Sequence, residues 1–145
     1  MRRSLLLLLA ATGVLTALAV STPASARLRD WTTTLAGRDG RKVSGSAVVK
    51  PGANGAGSEV TVTLDGDTPG ATRPWHIHAG SCTKSGGVVG SARAYSPIAI
   101  DLKGHGSATA KLDVALSDTS TYYVNIHDAA AAMQIIVACG DLAKH

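Results

Sequence analysis

The chain has 145 residues, with 14 Lys+Arg against 10 Asp+Glu, 45% hydrophobic residues and 17% charged ones. That length suits one domain, and the balance of apolar to charged residues excludes a disordered chain. With 3% aromatics, no Phe and 16 Gly, a bundle of helices carrying large side chains is disfavoured. Two Cys exclude a disulfide-dense mini-protein or a four-Cys zinc module.

The first element is a leader. Met1-Arg2-Arg3 is basic, residues 5–20 are almost wholly Leu, Ala and Val, and Ser21-Thr22-Pro23-Ala24-Ser25-Ala26 supplies small residues. This is the plan of a secretory signal peptide over residues 1–26, cleaved after Ala26, leaving one domain over residues 27–145. The other reading, an uncleaved anchor, is disfavoured because Thr12, Gly13 and Thr16 interrupt a stretch already short for a bilayer. The expected location is secreted, periplasmic or cell envelope, with no stable membrane insertion after cleavage. Removing Arg2 and Arg3 also reduces the positive excess. No basic patch is interleaved with aromatics, so nucleic acid is not an expected partner. In an oxidising compartment the isolated pair Cys82 and Cys139 reads as a disulfide, closing a loop of about 58 residues and contributing roughly 4 kcal/mol. Two free thiols or two thiolate ligands are the alternatives.

Beyond the leader, turn chemistry recurs every eight to twelve residues. It falls at Gly37-Arg38-Asp39-Gly40, Lys50-Pro51-Gly52-Ala53-Asn54-Gly55, Asp65-Gly66-Asp67-Thr68-Pro69-Gly70 and Lys103-Gly104-His105-Gly106. The runs between are rich in Val, Thr and Ile and read as strands over residues 31–36, 43–50, 58–64, 74–78, 107–116, 121–127 and 133–139. Val60, Val62 and Leu64 alternate with Thr61 and Thr63, the period of a strand with one buried face. Such spacing predicts an all-β, immunoglobulin-like antiparallel sandwich or barrel. The one long connection, residues 79–96, is Gly- and Ser-rich and reads as a functional or mobile loop. Residues 128–132 leave room for a helical turn.

His76 and His78 are two apart in Pro74-Trp75-His76-Ile77-His78, so on a strand they share a face while Trp75 and Ile77 take the other. In the later strand Tyr122, Val124 and Ile126 form one face, and Tyr123, Asn125 and His127 the other. With core positions filled by Trp75, Ile77, Val124 and Ile126, all three His are expected on outward faces. A His-x-His pair plus one His from a neighbouring strand supplies three imidazole nitrogens, a donor set for Cu, Zn, Fe or Ni. Ordinary polar surface residues are the other reading. His105, in a Gly-flanked turn, and His145, at the end of the sequence, read as solvated groups.

These pieces, in this order, resemble the copper–zinc superoxide dismutase family over most of residues 30–142. Asp65-Gly66-Asp67-Thr68-Pro69-Gly70 leading into Trp75-His76-Ile77-His78-Ala79-Gly80-Ser81-Cys82 is similar to its glycine turn, copper strand and disulfide Cys. Tyr95-Ser96-Pro97 is similar to the end of its metal loop. Tyr123-Val124-Asn125-Ile126-His127 resembles the strand with the last copper ligand, and Val137-Ala138-Cys139-Gly140 resembles the C-terminal Ala-Cys-Gly. CHRD domains share the strand ending Asn-Ile-His. The resemblance implies a Greek-key barrel of about eight strands, with a Cys82–Cys139 bridge tying the long loop to the last strand. It also implies copper ligands at His76, His78 and His127.

The departures narrow the expectation. Aligned on Pro97, Ala94 stands where the family has its bridging His, and no His or Asp lies between Cys82 and Pro97 to hold zinc. Ile136 stands where the family has an Arg that guides its anionic substrate. Arg73 and Arg93 are the cations considered as substitutes. The expected cofactor is one copper per chain without zinc, and the ligand either superoxide or the copper ion itself. Three functions are carried forward: a copper-only superoxide dismutase, a non-catalytic envelope protein that buffers or delivers copper, and a metal-free β-sandwich interaction domain.

Overall fold

A computed structural model describes residues 29–145 as an all-β domain. The expected leader, residues 1–26, lies outside the described residues. Eleven strands follow in order: β1 (Trp31–Gly37), β2 (Ser44–Pro51), β3 (Ser58–Asp65), β4 (Thr72–Arg73), β5 (Trp75–Ser81), β6 (Lys84–Val88), β7 (Ile98–Ala99), β8 (Gly106–Leu112), β9 (Tyr122–His127), β10 (Ile136–Asp141) and β11 (Ala143–Lys144). The main antiparallel sheet runs β6-β5-β9-β10-β1-β2-β3-β8 and curls on itself, with β11 pairing β1. A second small sheet pairs β4 with β7. Strands β1, β2 and β3 are successive hairpins, and β10 returns across the barrel to lie beside β1. The spatial order β10-β1-β2-β3 is the Greek key.

The alternation seen in the sequence gives the curled sheet its buried inner face. Val60, Val62 and Leu64 of β3 are buried, while Glu59, Thr61 and Thr63 face outward or sit at the margin. Leu35, Trp75, Ile77, Ile98, Val124, Ile126 and Val137 complete the interior at 0% exposure. Each such side chain contributes about 1.5–3 kcal/mol on burial. All seven expected strands are present. Two are shorter at one end than expected: the run over 107–116 ends at Leu112, and the run over 133–139 begins at Ile136. A turn in which the Ser120 N–H donates to the Ser117 carbonyl follows the first, and one in which the Ile135 N–H donates to the Ala132 carbonyl precedes the second.

The long connection departs most from expectation. Instead of a structureless loop over residues 79–96, β5 extends to Ser81 and turns into β6, which pairs back onto it. Every residue of β6 is exposed, so no periodicity marks it in the sequence. Gly80 makes the turn possible: its φ is +105°, and a Cβ there would collide with the Lys84 carbonyl. Residues 128–132 form a turn and not a helix. Cys82, in the β5–β6 turn, is bonded to Cys139 of β10 with the Cα atoms 6.0 Å apart. Free thiols and thiolate ligands are therefore excluded for this pair. No helix among the described residues is long and apolar enough to cross a membrane.

Candidate metal centre

Strands β5 and β9 lie side by side, with His76 opposite Asn125 and His78 opposite Tyr123. His127, at the end of β9, meets Ile136 of β10 on its other side. This register gathers the three expected His. Each offers a ring nitrogen within 4.8 Å of the other two, and they are the group among the described residues that could hold a metal ion.

The alternation of faces holds: Trp75, Ile77, Val124 and Ile126 are in the core. The expectation that the opposite face meets solvent does not. All six residues of β9 are buried, His127 is 5% exposed, and His76 and His78 are half-buried. Three features outside the two strands form this cover. Residues 128–135 fold over His127, the β5–β6 hairpin reaches over His78, and Tyr95 packs edge-on against His76 with ring centroids 5.2 Å apart. Tyr95 is itself held by an edge-on contact with Trp75 and by donating its hydroxyl to the Val89 carbonyl.

Backbone carbonyls set the ring orientations. His127 Nδ1–H donates to the Met133 carbonyl at 2.6 Å, and His78 Nδ1–H donates to the Gly86 carbonyl at 3.0 Å. A carbonyl only accepts, so in both neutral rings the Nε2 carries the free lone pair. His76 turns Nδ1 toward His127 Nε2 at 3.4 Å. His78 Nε2 is buried and has no hydrogen-bond partner. A buried lone pair left unmatched beside two other imidazole nitrogens is the observation that fits a cation at this point.

Burial, and then the charges His127 and His78 would carry, push the His76 pKa down to about 4. Burial also lowers His127, against the opposing effect of the Met133 carbonyl. Both rings are thus neutral and ligand-competent at pH 7. In the metal-free protein the unfolded chain takes up a proton at His76 near pH 6.5, whereas the folded chain waits until about pH 4. The unfolded state binds more protons in that window, so stability is expected to fall as the pH drops through it. Urea midpoints at successive pH values check this, and His76→Gln should flatten the slope.

Beside the site lies an ion-pair triad whose Arg73–Asp67 half is buried. Arg73 of β4 donates from Nε and Nη2 to the two carboxylate oxygens of Asp67, and from Nη1 to both the carboxylate and carbonyl of Asp128, all at 2.6–2.8 Å. Arg73 and Asp67 side chains are 6% and 5% exposed. Arg73 is therefore not a cation free to guide a substrate, whereas Arg93 is exposed. Asp128 directly follows His127, and the His127 N–H donates to the Pro74 carbonyl. Arg73 thus holds the backbone just after His127 through the Asp128 carbonyl.

His105 lies outside the cluster, half-exposed and paired with the Asp65 carboxylate. His145 is exposed at the end of the chain. Ala94 occupies a single 3₁₀ turn, Ala92–Ala94, and offers no ligand atom. Sequence reasoning missed Tyr95, Tyr123, Gly86 and Met133. Tyr123 stacks on His78 with centroids 5.3 Å apart, and period-two alternation does place it on the ligand face. Gly86 and Met133 act through backbone carbonyls, which leave no side-chain signature. No protein-family model matches the chain, and no curated protein matches it.

Proposed function

We propose that this chain is an exported, superoxide dismutase-like copper protein with a single site at His76, His78 and His127. The carrying observation is the convergence of three imidazoles, two with Nε2 freed by carbonyl bonds and one of those left buried and unpartnered. Affinity for an all-nitrogen site rises to copper along the divalent series, which favours copper over zinc. Bound copper supplies a one-electron couple that can oxidise one superoxide and reduce the next. The protein orients the rings through the Gly86 and Met133 carbonyls, and Tyr95 and Tyr123 wall the site with aromatic surface.

A second reading, copper buffering or delivery without efficient turnover, is favoured by one position. Ile136 lies directly opposite His127 in the ladder, and in the resemblance to superoxide dismutases it takes the position of the guiding Arg. Steering by charge changes on-rates by about 10–10³ and weakens with salt. The copper-loaded protein is therefore expected to dismutate superoxide slowly and with shallow salt dependence, and Ile136→Arg to raise the rate and steepen its fall with salt. Stopped-flow superoxide decay checks this, with metal content measured on the same sample. Tight copper binding without turnover in either variant establishes the buffering reading, and failure to retain copper overturns both.

A further inference from the structure

Next to the metal centre, on the far side of the Tyr123–His78 stack, is a cavity of about 370 Å³. It lies between the β1–β2 turn, the Cys82–Cys139 bridge, the outward face of β9 and the start of β10. Its lining is two-sided. Arg38, Tyr123 and Asn125 provide hydrogen-bond donors, while Ile135, Ile136 and the disulfide provide an apolar wall. Two of the donors are unspent. Tyr123 is 1% exposed, and its buried hydroxyl makes no full hydrogen bond, with the Gly86 carbonyl and the Ser85 and Asn125 side chains as its polar neighbours. The Arg38 guanidinium enters none of the ion pairs among the described residues. A buried hydroxyl costs stability unless something completes it, and native proteins leave few such groups unmatched.

We propose that this cavity binds a small organic carboxylate. The carboxylate accepts from the Arg38 guanidinium and from the Tyr123 hydroxyl, with the Asn125 amide beside them, and its hydrocarbon part lies against Ile135 and Ile136. A guanidinium fork matches a carboxylate in geometry as well as charge. The volume sits near the lower end for small-molecule sites, which suits a ligand of modest size. Asp39 lines the same cavity, and its negative charge favours a monoanion over a dianion. The site needs no metal, so it stands or falls separately from the copper reading.

The test uses metal-free, disulfide-intact protein and follows the Asn125 side-chain amide and the Tyr123 ring by NMR. Sodium benzoate and sodium acetate are titrated against sodium chloride at constant ionic strength. Saturable shifts are expected with both carboxylates, at lower concentration for benzoate because its ring covers the apolar wall. Arg38→Gln, in an exposed turn, should weaken benzoate binding at least about tenfold, the scale of a lost charge-assisted hydrogen bond. Tyr123→Phe should weaken it about three- to tenfold. Shifts that fail to saturate, that chloride reproduces, or that survive Arg38→Gln unchanged would overturn the proposal.

Discussion

His127→Ala is expected to abolish stoichiometric metal binding. Of the three candidate ligands, His127 is the most buried, and it is the one whose ring is held closest to a backbone carbonyl. Removing it leaves His76 and His78 on a single strand, with no third nitrogen inside the group. Loss of an outer-shell partner alone weakens metal sites about 10–100-fold, so loss of a ligand should exceed about 100-fold. The measurement is copper per chain after loading and exhaustive dialysis. Because an Ala also leaves a cavity, His127→Gln is made alongside it, to keep volume while losing the imidazole. His105→Ala is the control, since that ring pairs with Asp65 outside the cluster. Retention of one copper per chain by His127→Gln would rule out the three-His site.

Arg73→Met is expected to cost about 3–5 kcal/mol of folding stability, the penalty for stranding one partner of a buried pair. For a domain of this size that lowers Tm by about 10–20 °C. Burial alone would raise the Asp67 carboxyl. The hydrogen bonds and charge of Arg73, with the Thr68 N–H, more than offset it and hold the group below its ordinary 3.8. A carboxyl lowered on folding stabilises the protein above the unfolded value, and that contribution is lost as pH falls below it. The natural protein should therefore show an acid-dependent loss in this range that Arg73→Met lacks. Replacing both partners, Arg73→Met with Asp67→Leu, should recover much of the stability, because no unpaired charge then remains at that end of the triad. Calorimetry on the metal-free proteins separates these cases. If Arg73→Met unfolds at the natural temperature, the triad is not a stabilising element.

The sequence by itself determined the class of fold, the inner and outer faces of β3, β5 and β9, and the three candidate ligands. These depend on period-two alternation and on His-x-His spacing, which are local properties of a strand. The Cys pair was legible for a different reason: with only two Cys, the one intramolecular pairing needed no geometric information. Tertiary structure decided what the alternation cannot say, namely what covers the outer face. Period two separates core from non-core, but it is silent on whether a hairpin or loop later folds over the second side. Here β6, Tyr95 and residues 128–135 do so, turning the expected solvent face of β9 into a second buried layer. The tautomers of His78 and His127 follow from the Gly86 and Met133 carbonyls, groups every residue carries and no composition reveals. Arg73 and Arg38 make the same point in opposite directions. One sits beside the His-x-His motif in sequence and is bound up by the Asp67 and Asp128 carboxylates, while the other is remote in sequence and lines the cavity against the three-His cluster. Charge is written in the chain, but its partner and its solvent are set only when distant strands close the barrel.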